Sequence, residues 1–281
     1  MIYYNPLNNV EIETIYKTFL CAFNDYVVPL NLPYLQFKNM LKRRGYNPNI
    51  SIGAFEHNRL VGIVLNGQRN WNGKKTAYDL GTGVNADFRK QGITTNLIQF
   101  AQKEFCGEGI EQYLLEVITS NTAAVQLYKK NGFMIQREFQ CYQLEREFCT
   151  QDVFYTVDHV SKLDWGQVKY FWDFRPSWQN SIESVEALSE SFIYSIVCKN
   201  NAIVGYGIID KETGDIPQIA VDKNWRRKGI GSSLIVDLVH HTNAHKIKLL
   251  NVQDQSNSIE QFLLKVGFEN SVRQYEMLLK L

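Results

Sequence analysis

The chain has 281 residues, 44% hydrophobic and 21% charged, a length suited to two domains of common size and a composition that excludes a disordered chain, a coiled coil and a collagen-like fibre. Its 30 basic and 29 acidic residues leave a net charge of +1, without the basic excess of a dedicated nucleic-acid binder. No apolar run approaches the roughly 18–20 residues that span a bilayer, and the opening MIYYNPLNNVEIE lacks the basic and apolar regions of a signal peptide. The five cysteines (Cys21, Cys106, Cys141, Cys149 and Cys198) form no CxxC pair. They read as reduced thiols, mostly core filler, in a cytoplasmic protein.

In chain order, residues 9–23 place Ile12, Ile15, Tyr16, Phe19 and Leu20 at helical spacing, and 34–44 read as a second helix. ISIGAF (50–55) and LVGIVL (60–65) predict a hairpin, and 76–84 a third strand. Residues 66–75 are left as a loop, which with 20–48 would face an acceptor. A helix over 91–105 places Ile93, Leu97, Ile98, Ala101 and Phe105 on one face. YLLEVI (113–118) is a strand, 122–131 a helix closed by Gly132, and 133–144 one or two closing strands. The second half predicts strands at 192–198, 202–209, 216–221, 246–252 and 274–281, with helices at 228–242 and 257–266. Helical stretches around 162–172 and 181–190 precede them. The fold class is α/β with a mixed sheet.

The two halves repeat. RKQGIT (89–94) and RRKGIG (226–231) lie 137 residues apart. Each follows a strand-ending valine, Val84 or Val221, by five positions. Each leads into a helix, a strand and a second helix that ends in Gly-Phe, at Gly132-Phe133 and Gly267-Phe268. The repeat divides the chain into 1–147 and 148–281. A basic residue, a glycine and a helix start directly after a strand have a chemical logic. The helix N-terminus carries unpaired N–H groups and the positive end of the dipole, and glycine lets an anion approach. The arginine can add a fixed positive charge. The motif is neither the P-loop nor GxGxxG.

The stretches LGTGVNADFRKQGITTNLI (80–98) with SNTAAVQLYKKNGF (120–133), and QIAVDKNWRRKGIGSSLI (218–235) with FLLKVGF (262–268), resemble the GNAT superfamily of acyl-CoA-dependent N-acyltransferases, in two tandem copies. The resemblance implies two GNAT-like domains in which the strands ending at Val84 and near Ile118 splay apart to admit the pantetheine arm of acetyl-CoA. It places the pyrophosphate on the loop Arg89, Lys90, Gln91, Gly92, Ile93, Thr94 and Thr95. A backbone N–H near Val84 becomes an oxyanion donor. Asn121 contacts the cofactor arm or caps its helix, and Tyr128 becomes the general acid to the CoA thiolate. Direct attack by the amine then needs no covalent enzyme intermediate and no metal.

The copies depart from the pattern in opposite ways. The first has Thr94 where Gly or Ala is usual. The second keeps Arg226, Gly229 and Gly231 but has Leu263 at the tyrosine position and Ser256 at the asparagine position. The first domain is therefore read as catalytic and the second as degenerate. Asp79 and Glu116, carboxylates within apolar strands, are the candidate bases. The expected activity is acetyl transfer from acetyl-CoA to a primary amine of a small molecule or peptide, without nucleic acid or membrane partners. The alternative is a tandem module that binds or senses acyl-CoA without turnover. Aminoacyl transfer from tRNA, a third possibility for tandem folds of this type, is opposed by the near-neutral charge. His241 and His245, i and i+4 in the helical reading, lack the further ligand of a metal site and read as helix-end residues, as does His240. Trp165, Phe171, Trp172, Phe174 and Trp178 read as packing or as a substrate surface.

Overall fold

The computed structural model describes residues 1–25, 32–149, 153–254 and 257–281. The elements in chain order are β1 (Ile2–Pro6), α1 (Ile12–Ala22), α2 (Tyr34–Arg43), β2 (Ile52–Glu56), β3 (Arg59–Trp71), β4 (Lys74–Val84), α3 (Ile93–Gly107), β5 (Gln112–Ile118), α4 (Thr122–Lys130) and β6 (Met134–Glu145). The second half contributes β7 (Asp158–Val160), α5 (Trp165–Val168), α6 (Ile182–Glu186), β8 (Phe192–Lys199), β9 (Ala202–Asp210), β10 (Gln218–Val221), α7 (Ile230–His240), β11 (Lys246–Gln253), α8 (Asn257–Lys265) and β12 (Glu269–Lys280).

Two compact units result. The first is Met1–Gln136 with Tyr275–Leu281, and the second is Arg137–Gln274. Most of β6 thus belongs to the second unit, and the last half of β12 belongs to the first. In the first unit the strand order is β1-β2-β3-β4-β5-β12. Its neighbours are antiparallel from β1 to β4, and β4 and β5 are parallel. The second unit holds β12-β6-β11 in one sheet and β10-β9-β8-β7 in another.

The core of the first unit follows from helical periodicity. Ile93, Leu97, Ile98, Ala101 and Phe105 of α3 are all buried, against Ala54, Val61, Val64, Tyr113, Leu115 and Met277. Each such large side chain contributes about 1.5–3 kcal/mol by leaving water. Met277, near the end of the sequence, is fully buried in this N-terminal core.

Several expectations change. β1 is an additional strand. Its residues alternate between half-buried and exposed, which is too weak an apolar signal to stand out, and pairing with β2 forms it. Residues 66–75 are not a loop. β3 and β4 pair as far as Trp71↔Lys74, and Asn72 and Gly73, with φ of 56° and 77°, close a two-residue turn of the type that Asn-Gly favours. The helices expected around 162–172 and 181–190 shrink to the short α5 and α6. Among the described residues no cysteine is in a disulfide, but only Cys141 is buried. Cys21, Cys106 and Cys198 are exposed and Cys149 is intermediate, because Cys21 and Cys106 fall on the outward faces of α1 and α3.

Candidate active site

The parallel pairing of β4 with β5 covers Thr76↔Gln112, Ala77↔Tyr113 and Tyr78↔Leu114 and goes no further, although the strands continue to Val84 and Ile118. The cause is a bulge. Leu65 lies opposite Gly81 and Asn66 opposite Asp79, so Leu80 has no partner across β3, and a bulge bends its strand and increases the local twist. Beyond it, a Cβ at Gly81 would stand 3.0 Å from the Phe19 ring and one at Gly83 2.9 Å from Ala22, so these glycines let α1 lie directly on the strand. Asn85 N donates to Val61 O at 2.9 Å. In an antiparallel ladder this alternation turns the N–H and C=O of Val84, which lies opposite Gly62, away from β3 and toward the gap beside β5.

The loop after Val84 is conformationally specific. Lys90 and Gly92 have φ of 62° and 76°, the left-handed region, which costs a non-glycine residue roughly 1–2 kcal/mol. Asn96 N donates to Gly92 O, so the amides of Ile93, Thr94 and Thr95 at the head of α3 project outward with no partner inside the helix. Ile93 is buried and roots the helix start in the core. The result is a concavity with the helix dipole behind it, a geometry suited to an anion. Gln91 and Lys90 are exposed beside it. Arg89 does not supply the extra phosphate-facing charge expected of it. Its Nε donates to Val84 O at 3.0 Å, its Nη2 to Ala22 O at 3.0 Å, and its two Nη atoms hold Asp25 at 2.6 and 2.8 Å. The hydrogen bond from Arg89 keeps the Asp25 carboxyl below its ordinary range. Arg89 is a brace that ties the end of β4 to the end of α1.

Asn121 caps α4, its Oδ1 accepting from Ala124 N at 3.2 Å. One helix length on, the buried Tyr128 hydroxyl donates to Asp79 Oδ2 at 3.0 Å, and Thr82 Oγ1 donates to the same oxygen at 2.6 Å. Burial pushes the Asp79 carboxyl up to about 6, against the opposing hydrogen bonds of Thr82 and Tyr128. Sequence reasoning missed Thr82. In a regular strand residues three apart point to opposite faces, and only the bulge at Leu80 brings 79 and 82 to one side.

Asp79 and Glu116 are not brought together. Asp79 faces Tyr128 of α4. Tyr78, its neighbour on the opposite face, hydrogen-bonds Glu116 and feels Arg44, whose Nη1 donates to Leu80 O at 3.3 Å. The two carboxylates lie on opposite faces of the sheet, either side of the gap between β4 and β5.

The second unit repeats the frame without a counterpart of Tyr128. Asp222 N donates to Val204 O at 2.9 Å, turning Val221 toward the gap as at Val84. Arg227 and Gly229 have φ of 61° and 89°. Arg226 repeats the brace, with Nε on Val221 O at 3.0 Å, Nη1 on Asp173 at 2.8 Å and Nη2 on Phe171 O at 2.9 Å. Leu263 is fully buried in the core, and Ile216, 137 positions after Asp79, is buried too. Ser256 lies outside the described residues. Between the strand ends is a cavity of about 870 Å³. Arg227, Lys228, Gly229 and Gly231 line one side, Phe171, Trp172 and Phe174 another, with Phe262 and Lys265 of α8 beside them. The aromatic cluster seen in the sequence is therefore divided: Trp178 is fully buried, while Phe171, Trp172 and Phe174 form cavity wall. Phe154 stands over the loop, so close that a Cβ at Gly229 would meet its ring at 2.6 Å. The backbone amides of Phe154 and Tyr155 hold it there by donating to Ser233 Oγ at 3.0 and 3.2 Å.

The acetyltransferase (GNAT) family model matches residues 12–133, and an acetyltransferase (GNAT) domain model matches residues 171–277. No curated protein matches the chain significantly. Solved structures of similar fold include a putative acetyltransferase from Pyrococcus horikoshii, at 18% identity and TM-score 0.70, covering 100% of this chain and 89% of that one. A GCN5-related N-acetyltransferase from Sphaerobacter thermophilus aligns at 12% identity and TM-score 0.72, over 99% and 95% of the two chains. A tandem GNAT protein from the clavulanic acid biosynthesis pathway aligns at 13% identity and TM-score 0.76, over 100% and 98%. At these identities the likeness is one of fold.

Proposed function

We propose, from the premise that this chain belongs to the GNAT acetyltransferase family as two domains in tandem, that its N-terminal domain (1–147) transfers an acetyl group from acetyl-CoA to a primary amine and that its C-terminal domain (148–281) has lost the transfer chemistry. The observation that carries this reading is Tyr128, held by Asp79 at the mouth of the β4–β5 gap, a constellation replaced by Leu263 and Ile216 in the second half. Acetyl-CoA supplies an activated acyl group and a thiolate leaving group. The chain's own parts fit it: the outward amides of Ile93, Thr94 and Thr95 suit a diphosphate, and the Val84 N–H faces the gap where a thioester oxygen would gain charge.

The assignment of roles follows the two faces of the sheet. Tyr128, on the α4 face, donates its proton to the departing sulfur. Glu116, on the α1–α2 face, takes the proton lost by the attacking nitrogen, directly or through water. Asp79 is a positioning residue that fixes the Tyr128 hydroxyl. Asn121, Gly92 and the loop orient the donor. A small-molecule or peptide amine and a cytoplasmic setting fit this chemistry. Replacing Tyr128 with Phe should lower kcat by about 10²-fold with KM for acetyl-CoA unchanged, measured as thiol release. An unchanged kcat removes Tyr128 from the mechanism.

A second reading, acyl-CoA binding without turnover by the C-terminal domain, is favoured by the cavity of about 870 Å³ on its intact loop. Calorimetry should then give two acetyl-CoA sites per chain, of which one persists when Gly92 is replaced by Asp. A single site lost in that variant excludes the second reading.

A further inference from the structure

The histidines that the sequence offered as a weak i, i+4 pair are arranged differently in the structure. α7 ends at His240, so His245 falls beyond the helix. His241 instead shares Asp237 with His159, which arrives from β7, 78 positions earlier in sequence than Asp237. His159 Nε2 stands 3.0 Å from Asp237 Oδ2, and His241 Nδ1 stands 3.7 Å from Asp237 Oδ1. The two rings meet edge to face, with centroids 4.4 Å apart. One donor atom from each of the three residues lies within 4.8 Å of the other two.

We infer that His159, Asp237 and His241 form a binding site for a late first-row divalent cation, with Zn²⁺ the natural probe, on the outer face of the second unit. Two imidazoles and one carboxylate are a donor set that suits such ions and is a poor match to Mg²⁺ or Ca²⁺, which favour all-oxygen shells. Ligand atoms bonded at about 2.0–2.2 Å to a tetrahedral ion stand roughly 3.3–3.6 Å apart. His159 Nε2 and Asp237 Oδ2, at 3.0 Å, are already close to that spacing, and the three ligand atoms all lie within 4.8 Å of one another. A simple ion pair explains less. It accounts for His159 on Oδ2, but not for the second ring, His241, packed edge to face on His159 beside the same carboxylate.

The surroundings supply the outer contacts that metal ligands need. Ser195 Oγ donates to Asp237 Oδ2 at 2.6 Å and fixes the carboxylate. His241 Nδ1 lies 2.8 Å from the Asp237 carbonyl, a contact that holds the ring with its other nitrogen free to ligate. The Asp237 side chain is 16% exposed, while His159 and His241 are 41% and 39% exposed. The remaining coordination positions are therefore open to water or an exogenous ligand. An ion here would fasten β7, a three-residue strand at the edge of its sheet, to α7. The chain just before β7 is the segment that lays Phe154 over Gly229 at the other end of the same helix.

The test is metal binding by the full chain. With Zn²⁺ in calorimetry, one ion per chain should bind with release of protons as it displaces them from the ligands, and the unfolding midpoint should rise with added Zn²⁺. Co²⁺ should give a visible absorption band of a low-symmetry N/O site. His159→Gln and His241→Gln should each weaken Zn²⁺ binding at least about tenfold and abolish the midpoint shift, while His245→Gln changes neither. His159 is on the surface, so His159→Gln is expected to fold, with the circular dichroism spectrum of the parent as the check. Absence of Zn²⁺ binding, or binding that survives both substitutions, overturns the assignment.

Discussion

Asp79 is the residue whose chemistry depends most on its surroundings. Its carboxyl is pushed up to about 6 by burial, above the 3.8 it has in an unfolded chain. The folded state therefore binds this proton more tightly than the unfolded state, and stability falls as pH rises from about 4 to 6. The two-unit difference corresponds to about 2–3 kcal/mol lost above that window. Asp79→Asn should flatten this part of the stability–pH curve, as read by urea unfolding at pH 4, 5, 6 and 7. Above pH 6 the charged carboxylate accepts the Tyr128 hydrogen bond more strongly and fixes the hydroxyl in place. The Asn121 cap and the place of Tyr128 in the last turn before Gly132 were legible in the sequence because both are local to one helix. Thr82 and the face taken by each carboxylate were not, because a single unmatched residue, Leu80, inverts the alternation of the strand.

At the scale of elements, the site is a strand end, a loop and a helix start, and each has a device that holds it. Arg89 and Arg226 make the same three-way contact with the strand carbonyl, the preceding segment and a carboxylate. The sequence repeat marks these arginines, but Asp25 and Asp173 do not share its offset of 137, so their partnership was invisible until the fold placed them. Arg89→Lys keeps the charge but loses the planar fork, and should raise KM for acetyl-CoA severalfold with a smaller change in kcat. The β3–β4 arm is pinned at Gly67, where a Cβ would fall 2.2 Å from Arg44 O. Neither backbone can yield cheaply, so Gly67→Ala should destabilise by about 2–4 kcal/mol, measured by denaturant titration.

At the scale of the whole molecule, the halves that repeat in sequence are not the units that pack. The N-terminal unit is completed by Tyr275–Leu281, with Met277 fully buried in its core and Leu281 N donating to Glu111 O at 3.0 Å. A fragment of residues 1–147 therefore lacks a core strand. It should be poorly folded alone and gain structure when a peptide of residues 269–281 is added, followed by circular dichroism. Met277→Ala should cost the N-terminal unit about 2–5 kcal/mol despite lying at the far end of the chain. Among the described residues no helix is long and apolar enough to cross a membrane.

The sequence by itself determined the repeat, the family resemblance, the helix faces and the loss of the tyrosine in the second copy, because each is written in local spacing or in a motif that recurs. The tertiary structure decided what no local pattern encodes. It set which face each carboxylate takes, committed Arg89 and Arg226 to bracing, exchanged the closing strands, and gathered His159 with Asp237 and His241. Arg89 and Asp25, Arg226 and Asp173, and His159 and Asp237 are far apart in sequence, and only the packing of the folded elements brings them within bonding distance.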